Sequence, residues 1–301
     1  MTDIIIRNKQ QEVGFYRPTS LIRNEKFMYN NFKTIDSHCH IFPDKIAQKA
    51  TDSIDKFYNM SETGVIDGCG FVGTARALLT QCDSVGVDKC LVTAVATTPH
   101  HAQSINSFIA EEVKLYPDRF IGFGSLHPES EALEADVEHL IELGLKGVKL
   151  HPDIQNFKVD DPKVIKIFEL CNKKKLPVLI HTGDSRFDNS NPNRVEKILK
   201  MFPDLIIIGA HFGGWSVWDT APQLLSKYKS FYVDTCSSFY ALSKERAREI
   251  IDIYGADKVI FGTDFPMWKQ KEELEFLFDL GLSDEQLKNI LSDNLLKILE
   301  K

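Results

Sequence analysis

The sequence has 301 residues and contains no long apolar run. Its unbroken apolar stretches, such as Leu205–Ile208 and Pro177–Ile180, fall far short of the roughly 20 residues a spanning helix needs. The start, Met1-Thr-Asp-Ile-Ile-Ile-Arg7, sets an acidic residue before a few isoleucines and does not read as a secretory signal. Positive charge is not in excess: 36 Lys plus Arg stand against 43 Asp plus Glu, for a net charge of −7. A non-specific nucleic-acid binder has the opposite balance, so neither nucleic acid nor membrane is expected as a partner. The 6 cysteines, at positions 39, 69, 82, 90, 171 and 236, form no Cys-x-x-Cys pair. In a chain this long they read as reduced thiols, and a cytoplasmic location is expected. Internal repeats and low-complexity segments are missing too. No strand is followed by the glycine fingerprint of a dinucleotide site.

What is present is ordinary globular composition, 43% apolar and 26% charged. From Lys33 onward, short β-rich runs alternate with longer segments of helical spacing. The strand candidates are Lys33–His38, Lys89–Ala94, Arg119–Gly124, Gly147–His151, Pro177–His181, Leu205–His211, Phe231–Thr235 and Lys258–Thr263. Helices are expected between them, including Asp44–Tyr58, Ser104–Tyr116, Ser130–Leu143, Pro162–Lys174, Asn193–Met201, Lys244–Tyr254 and Lys271–Leu280. A last one, Ser283–Glu300, opens with the capping-box pattern Ser283-Asp-Glu-Gln286. Eight βα units define an α/β fold of the (β/α)8 TIM-barrel type, here one catalytic domain over residues 33–301. Residues 1–32, with Phe15, Tyr16, Phe27 and Tyr29, read as an arm packed on the barrel or on a neighbouring subunit of a homo-oligomer. Residues 41–72 lengthen the first connection and include the glycine-rich Gly64-Val-Ile-Asp-Gly-Cys-Gly70. Long loops at this face of a barrel shape the substrate site.

The strongest chemical signal is Asp36-Ser-His-Cys-His40, at the end of the first strand. Alternation aims His38 and His40 to one face, and could aim Asp36 with them. Paired imidazoles make half of a zinc-type site. His181, His211 and Asp264 each follow an apolar strand, and in a parallel barrel such ends converge on one mouth.

The order His-x-His, His, His, Asp on strands one, five, six and eight resembles the amidohydrolase superfamily. The flanking text resembles its amidohydrolase-related (amidohydrolase 2) group, which includes metal-dependent decarboxylases. The matching stretches are Ile35-Asp-Ser-His-Cys-His40, Tyr116-Pro-Asp-Arg-Phe-Ile-Gly122, Gly144-Leu-Lys-Gly-Val-Lys-Leu-His-Pro152, Leu179-Ile-His-Thr-Gly183, Ala210-His-Phe-Gly-Gly214, Tyr232-Val-Asp-Thr235 and Phe261-Gly-Thr-Asp-Phe-Pro266. The resemblance implies a divalent metal, zinc first, held by His38, His40, His181 and Asp264. It makes Asp264 the proton-transfer group. His211 becomes a second-site ligand or a group steadying the reacting oxygen. Lys149 shares a strand face with His151 and is read three ways: as a carboxylated bridge between two metals, as a cation for a substrate carboxylate, or as a structural ion-pair partner. One ion with a bare Lys149 is favoured. The metal-dependent deoxyribonucleases, a sister branch, carry glutamate at this position, which with the acidic balance argues against a nuclease.

Phe42, Arg186, Trp215, Trp218, Phe265 and Trp268 are expected around the mouth, aromatic walls suiting a flat organic substrate, with Arg186 available to a substrate anion. Cys39 points to the other strand face and reads as packing. His100, His101 and His139 read as solvated, and His127 as near the site. The resulting expectation is a metal-dependent hydrolase of a small amide, ester or lactone. The alternative is a metal-dependent, non-oxidative decarboxylase of an aromatic or unsaturated acid. A barrel that only binds metal is disfavoured by the complete set of ligand candidates.

Overall fold

The computed structural model describes residues 31–59 and 71–300. Phe15, Tyr16, Phe27 and Tyr29 of the arm, and the Gly64–Gly70 segment with Cys69, lie outside the described residues. Eight strands follow in order: β1 (Ile35–His40), β2 (Lys89–Thr93), β3 (Phe120–Gly122 and Gly124–Ser125, interrupted at Phe123), β4 (Val148–Leu150), β5 (Val178–Ile180), β6 (Ile207–Gly209), β7 (Phe231–Asp234) and β8 (Val259–Ile260). Each pairs in parallel with the next. The interruption in β3 keeps the ladder continuous, because Phe123 N–H donates to Val92 O (3.0 Å) while Gly124 N–H donates to Gly147 O (2.9 Å). Beyond β8 the chain closes the ring on β1: Ser37 N–H donates to Phe261 O (2.9 Å) and His40 N–H to Phe265 O (2.7 Å). The structure is a (β/α)8 barrel.

These strands are buried on both faces, which is why they read as apolar runs rather than as alternation. Ile35, Leu91, Phe123, Leu179, Ile208, Tyr232 and Ile260 fill the interior with Leu295 and Ile298 of the last helix. The opposite faces, such as Val92, Val148, Val178, Ile207 and Val233, join the larger core with the surrounding helices. Gly147 is required by this packing, since a Cβ there would meet the Phe123 ring at 2.5 Å. The expected helices Asp44–Tyr58, Pro162–Lys174 and Lys244–Tyr254 occur at those bounds. Most strands are shorter than expected: Leu205–His211, for example, reduces to Ile207–Gly209.

The last expected helix is divided. Its capping box is present, with Gln286 N–H donating to Ser283 Oγ (3.3 Å) and Ser283 N–H to Gln286 Oε1 (3.0 Å). A widened π-type turn then occupies Asn289–Asp293 before helix Asn294–Leu299. Such a turn releases a carbonyl from the helical ladder. Ile290 O accepts from Phe261 N–H (2.8 Å), and Asn294 Nδ2 donates to Ala256 O (2.8 Å) and Val259 O (2.7 Å). The interruption therefore fastens the C-terminal end of β8, where Asp264 begins.

Asp36 departs from the expected shared face. The register shifts between Asp36 and Cys39, so the period-of-two rule fails across the bulge. The Asp36 carboxylate turns into the β1–β8 seam. There it accepts from Thr263 N–H (3.0 Å), Thr263 Oγ1–H (2.6 Å), Gln270 Nε2 (3.2 Å) and His38 N–H (3.2 Å). Truncating it strands several buried donors. Asp36→Ala is expected to destabilise the protein by about 3 kcal/mol, read as a lowered urea midpoint, with Asp36→Asn costing less. An unchanged midpoint in Asp36→Ala would refute the seam's role.

Candidate active site

Past the bulge, His38 and His40 both face the barrel axis, while Cys39 lies in the outer core. Their Nε2 atoms are 3.2 Å apart. Asp264 Oδ1 stands 3.5 Å from His38 Nε2 and 3.3 Å from His40 Nε2. Metal–ligand bonds of about 2.0–2.2 Å place neighbouring donors roughly 2.8–3.6 Å apart, from octahedral to tetrahedral angles. The trio fits a divalent ion on this test.

A neighbouring carboxylate fixes the donor atoms. Asp234 Oδ2 accepts from His38 Nδ1–H (2.8 Å), so the His38 lone pair lies on Nε2. Asp234 Oδ1 accepts from His211 N–H (2.8 Å) and Cys236 N–H (3.3 Å). His211 Nδ1–H donates to Cys236 O (3.0 Å), so His211 Nε2 also carries a lone pair, 2.8 Å from His181 Nδ1. Burial pushes His38 and His40 below the usual histidine range, His181 well below it, and His211 down to about 4. Burial thus favours the neutral form, the ligand form, in all four. Burial would raise Asp264, but His38, His40 and His211 outweigh it and hold the carboxyl well below the ordinary range. Its Oδ2 accepts from Ser237 Oγ–H (2.6 Å), and Ser237 Oγ accepts from Trp268 Nε1–H (2.8 Å).

Lys149, 1% exposed, places Nζ 2.7 Å from His38 Nε2. Burial lowers its pKa, and Asp264 and Asp234 partly offset that. His181 stands beside the trio rather than in it. Its Nε2 is 3.4 Å from Asp153 Oδ2, and neither atom has a hydrogen-bond partner among the described residues. Burial pushes Asp153 up to about 6. His151 stacks on His181, ring centroids 4.1 Å apart.

The mouth residues divide. Trp215 lies 6.4 Å from His181 between ring centroids, and Trp218 Nε1–H donates to His211 O (3.0 Å). Phe265 is buried in the outer core against Phe71, and Phe42 packs on the same core. Arg186 gives Nε–H and Nη2–H to Asp184 (3.0 and 2.8 Å) and Nη1–H to Phe57 O (3.0 Å). Its guanidinium lies 5.1–5.3 Å from the ring centres of Phe57, Tyr58, Phe187 and Trp215. It fastens the end of helix Asp44–Tyr58 to the loop after β5.

Sequence reasoning missed Asp234, Asp153 and Tyr58. Asp234 carried a usable signal, since it ends the apolar run Phe231-Tyr-Val233 as His181 and His211 end theirs. Tyr58 carried none, because it arrives from a helix end through tertiary packing.

Fold and mouth together define a barrel whose strand ends gather side chains able to hold a divalent ion. Residues 35–300 match the amidohydrolase family, and the chain belongs to it. The 2-amino-3-carboxymuconate-6-semialdehyde decarboxylase of Dictyostelium discoideum is 25% identical over 207 residues, 55% of this chain and 56% of that protein. The chain thus matches little more than half the length of this relative. The 5-carboxyvanillate decarboxylase of Sphingomonas paucimobilis superposes with a TM-score of 0.69 at 18% identity, covering 89% of this chain and 99% of that one. A dihydroxybenzoic acid decarboxylase of Polaromonas, solved with bound manganese, gives 0.65 at 17% identity, covering 89% and 97%. At these identities the structural likeness establishes the fold alone.

The purified protein is expected to hold about one equivalent of a divalent metal, by elemental analysis. His38→Ala and His40→Ala should each lose it. Asp234→Asn, which frees the His38 ring, should weaken affinity by roughly 10–100-fold in chelator competition. Because burial depresses the His38 and His40 pKa values, the neutral ligand form persists below the ordinary value of 6.5. Metal should therefore survive mild acidification and leave only at lower pH. Full metal content in both alanine variants would dismiss the site.

Proposed function

We propose that the chain is a metal-dependent, non-oxidative decarboxylase of an aromatic or unsaturated carboxylic acid. The observation that carries this reading is the company around the ligand trio: a buried lysine, Lys149, and aromatic walls, Tyr58 and Trp215, beside Asp264, whose carboxyl is held well below the ordinary range. The decarboxylase relative supports it. Hydrolysis of an amide, ester or lactone could use the same trio, and that relative moves the reading to a carboxy-lyase. His38, His40 and Asp264 would hold the divalent ion, with His181 or His211 alongside. The bound ion supplies positive charge that holds and polarises the substrate's oxygens. Two imidazoles and a carboxylate suit zinc, with manganese as its competitor.

Asp264, ionised at rest, takes a proton from a substrate hydroxyl and delivers it to the ring carbon that loses carbon dioxide. The carbon–carbon bond breaks, its electron pair is captured by that proton, and solvent reprotonates the hydroxyl. Ser237 and Trp268 hold the carboxylate for both transfers. Lys149 faces the substrate's anionic end as an ammonium, beside a single ion. Tyr58 and Trp215 hold a flat ring and exclude water.

The test is product chemistry on the metal-loaded protein with a panel of hydroxylated aromatic and unsaturated acids. Carbon dioxide release is expected, falling by about 10²–10⁴ in Asp264→Asn. Ring opening or amine release from lactones and amides, without carbon dioxide from any acid, would return the hydrolase reading. Lys149→Ala should keep its metal and bind anionic substrate more weakly. Two equivalents of metal in the wild type, falling to one in this variant, would identify Lys149 as a carboxylated bridge instead.

A further inference from the structure

Tyr58 reaches the barrel mouth from the C-terminal end of helix Asp44–Tyr58, and its hydroxyl lies 2.7 Å from His151 Nε2. Either atom could donate, and the rest of the His151 ring decides which one does. His151 caps the short helix Pro152–Gln155, and its Nδ1 accepts from Ile154 N–H (3.3 Å). An accepting Nδ1 carries no proton. An imidazole holds at least one proton, so it sits on Nε2, and Nε2–H donates to the Tyr58 oxygen. The phenolic hydrogen is then not spent on histidine. It meets no acceptor among the described residues.

The surroundings give that hydrogen a direction. The Tyr58 ring lies 5.3 Å from Trp215 and 6.3 Å from His181, between centroids, so the phenol stands at the barrel mouth beside His181. Burial above all, with the neighbouring carboxylates Asp264, Asp153 and Asp184, pushes the phenol well above its ordinary value and keeps it protonated. A half-buried donor without an acceptor is costly, and a substrate oxygen removes that cost. Arg186 fixes the position from behind, through the carbonyl of Phe57 and the faces of Phe57 and Tyr58.

We propose that Tyr58 is a substrate-anchoring hydrogen-bond donor, held by His151 Nε2–H, that selects a flat substrate bearing an anionic oxygen at the end facing the His151 wall. Arg186 is its positioning residue. This rests on the aromatic-acid reading of the site, and it adds which side chain grips the acid and through which proton.

Two measurements test it, neither of which needs turnover. Nitrogen NMR of labelled histidine in the metal-loaded full chain reports the His151 tautomer. Protonated Nε2 is expected. A proton on Nδ1 would mean that Tyr58 spends its hydrogen on the ring, and would overturn the proposal without any variant. Calorimetry then follows benzoate binding. Tyr58→Phe, with its melting point checked, should weaken benzoate by roughly tenfold to a hundredfold, the scale of a hydrogen bond to a charged group. His151→Ala should weaken it similarly, and the double variant should lose little more. Benzoate affinity within twofold of wild type in Tyr58→Phe, or no saturable benzoate binding by wild type, sinks the proposal. The failures separate: carbon dioxide release with a silent Tyr58→Phe removes the anchor and keeps the decarboxylase. Benzoate weakened by Tyr58→Phe, with no carbon dioxide from any acid, does the reverse.

Discussion

The mouth of this barrel is organised around one buried carboxylate, Asp234. A buried charge survives only if its lone pairs are met. Asp234 meets them with the side chain of His38 on β1 and the backbone of His211 after β6. Satisfying one carboxylate thereby orients the His38 ring, selects its tautomer and pins the turn that carries a second histidine. The carboxylate itself stays ionised, because His38 and His211 outweigh the effect of burial.

The same region gathers left-handed backbone that, among the other described non-glycine residues, occurs only at the helix C-caps Asn59, Asn156 and Lys175. His211, Phe212, Ser216, Ser237 and Asp264 all have positive φ, between 44° and 65°. A non-glycine residue in that region costs on the order of 1–3 kcal/mol and persists only where its surroundings over-determine it. Here the surroundings are specific. Asp234 and Cys236 O hold His211 at its backbone and its ring. Asp264 N–H donates to His38 O (2.8 Å), and the π-type turn clamps β8 below it. The core beneath the mouth stabilises a geometry that the mouth alone would not keep.

How much of this the sequence revealed follows from the range of each interaction. The barrel was legible because buried parallel strands leave continuous apolar runs at regular intervals. The histidines and Asp264 were legible because each interrupts such a run at its end. Asp36 misled, because a bulge is a local register change that spacing does not encode. The π-type turn was hidden, since its cause is the Phe261 N–H of another element. Arg186 looked free in the sequence, and only the fold brings Asp184 and the carbonyl of Phe57 to its fork. Tyr58 was invisible for the same reason: a tyrosine ending an amphipathic helix is unremarkable until packing turns it toward His151.

The ligand trio alone does not choose a reaction. Neutral imidazoles and a carboxylate suit attack at a carbonyl as well as loss of a carboxylate. What differs is where the proton goes. Hydrolysis sends it to a departing heteroatom, while decarboxylation sends it to carbon, where an intruding water competes for the carbanion-like centre. A site for the second task needs a carboxylate with little positional freedom and walls that hold a ring in plane. Asp264 is tied at its backbone by His38 and at its side chain by Ser237, which Trp268 holds in turn, while Trp268 stacks on Tyr240 at 4.9 Å. That chain of contacts removes the freedom of a surface acid. The lining of the mouth, more than the trio it surrounds, is therefore where this barrel's chemistry is selected.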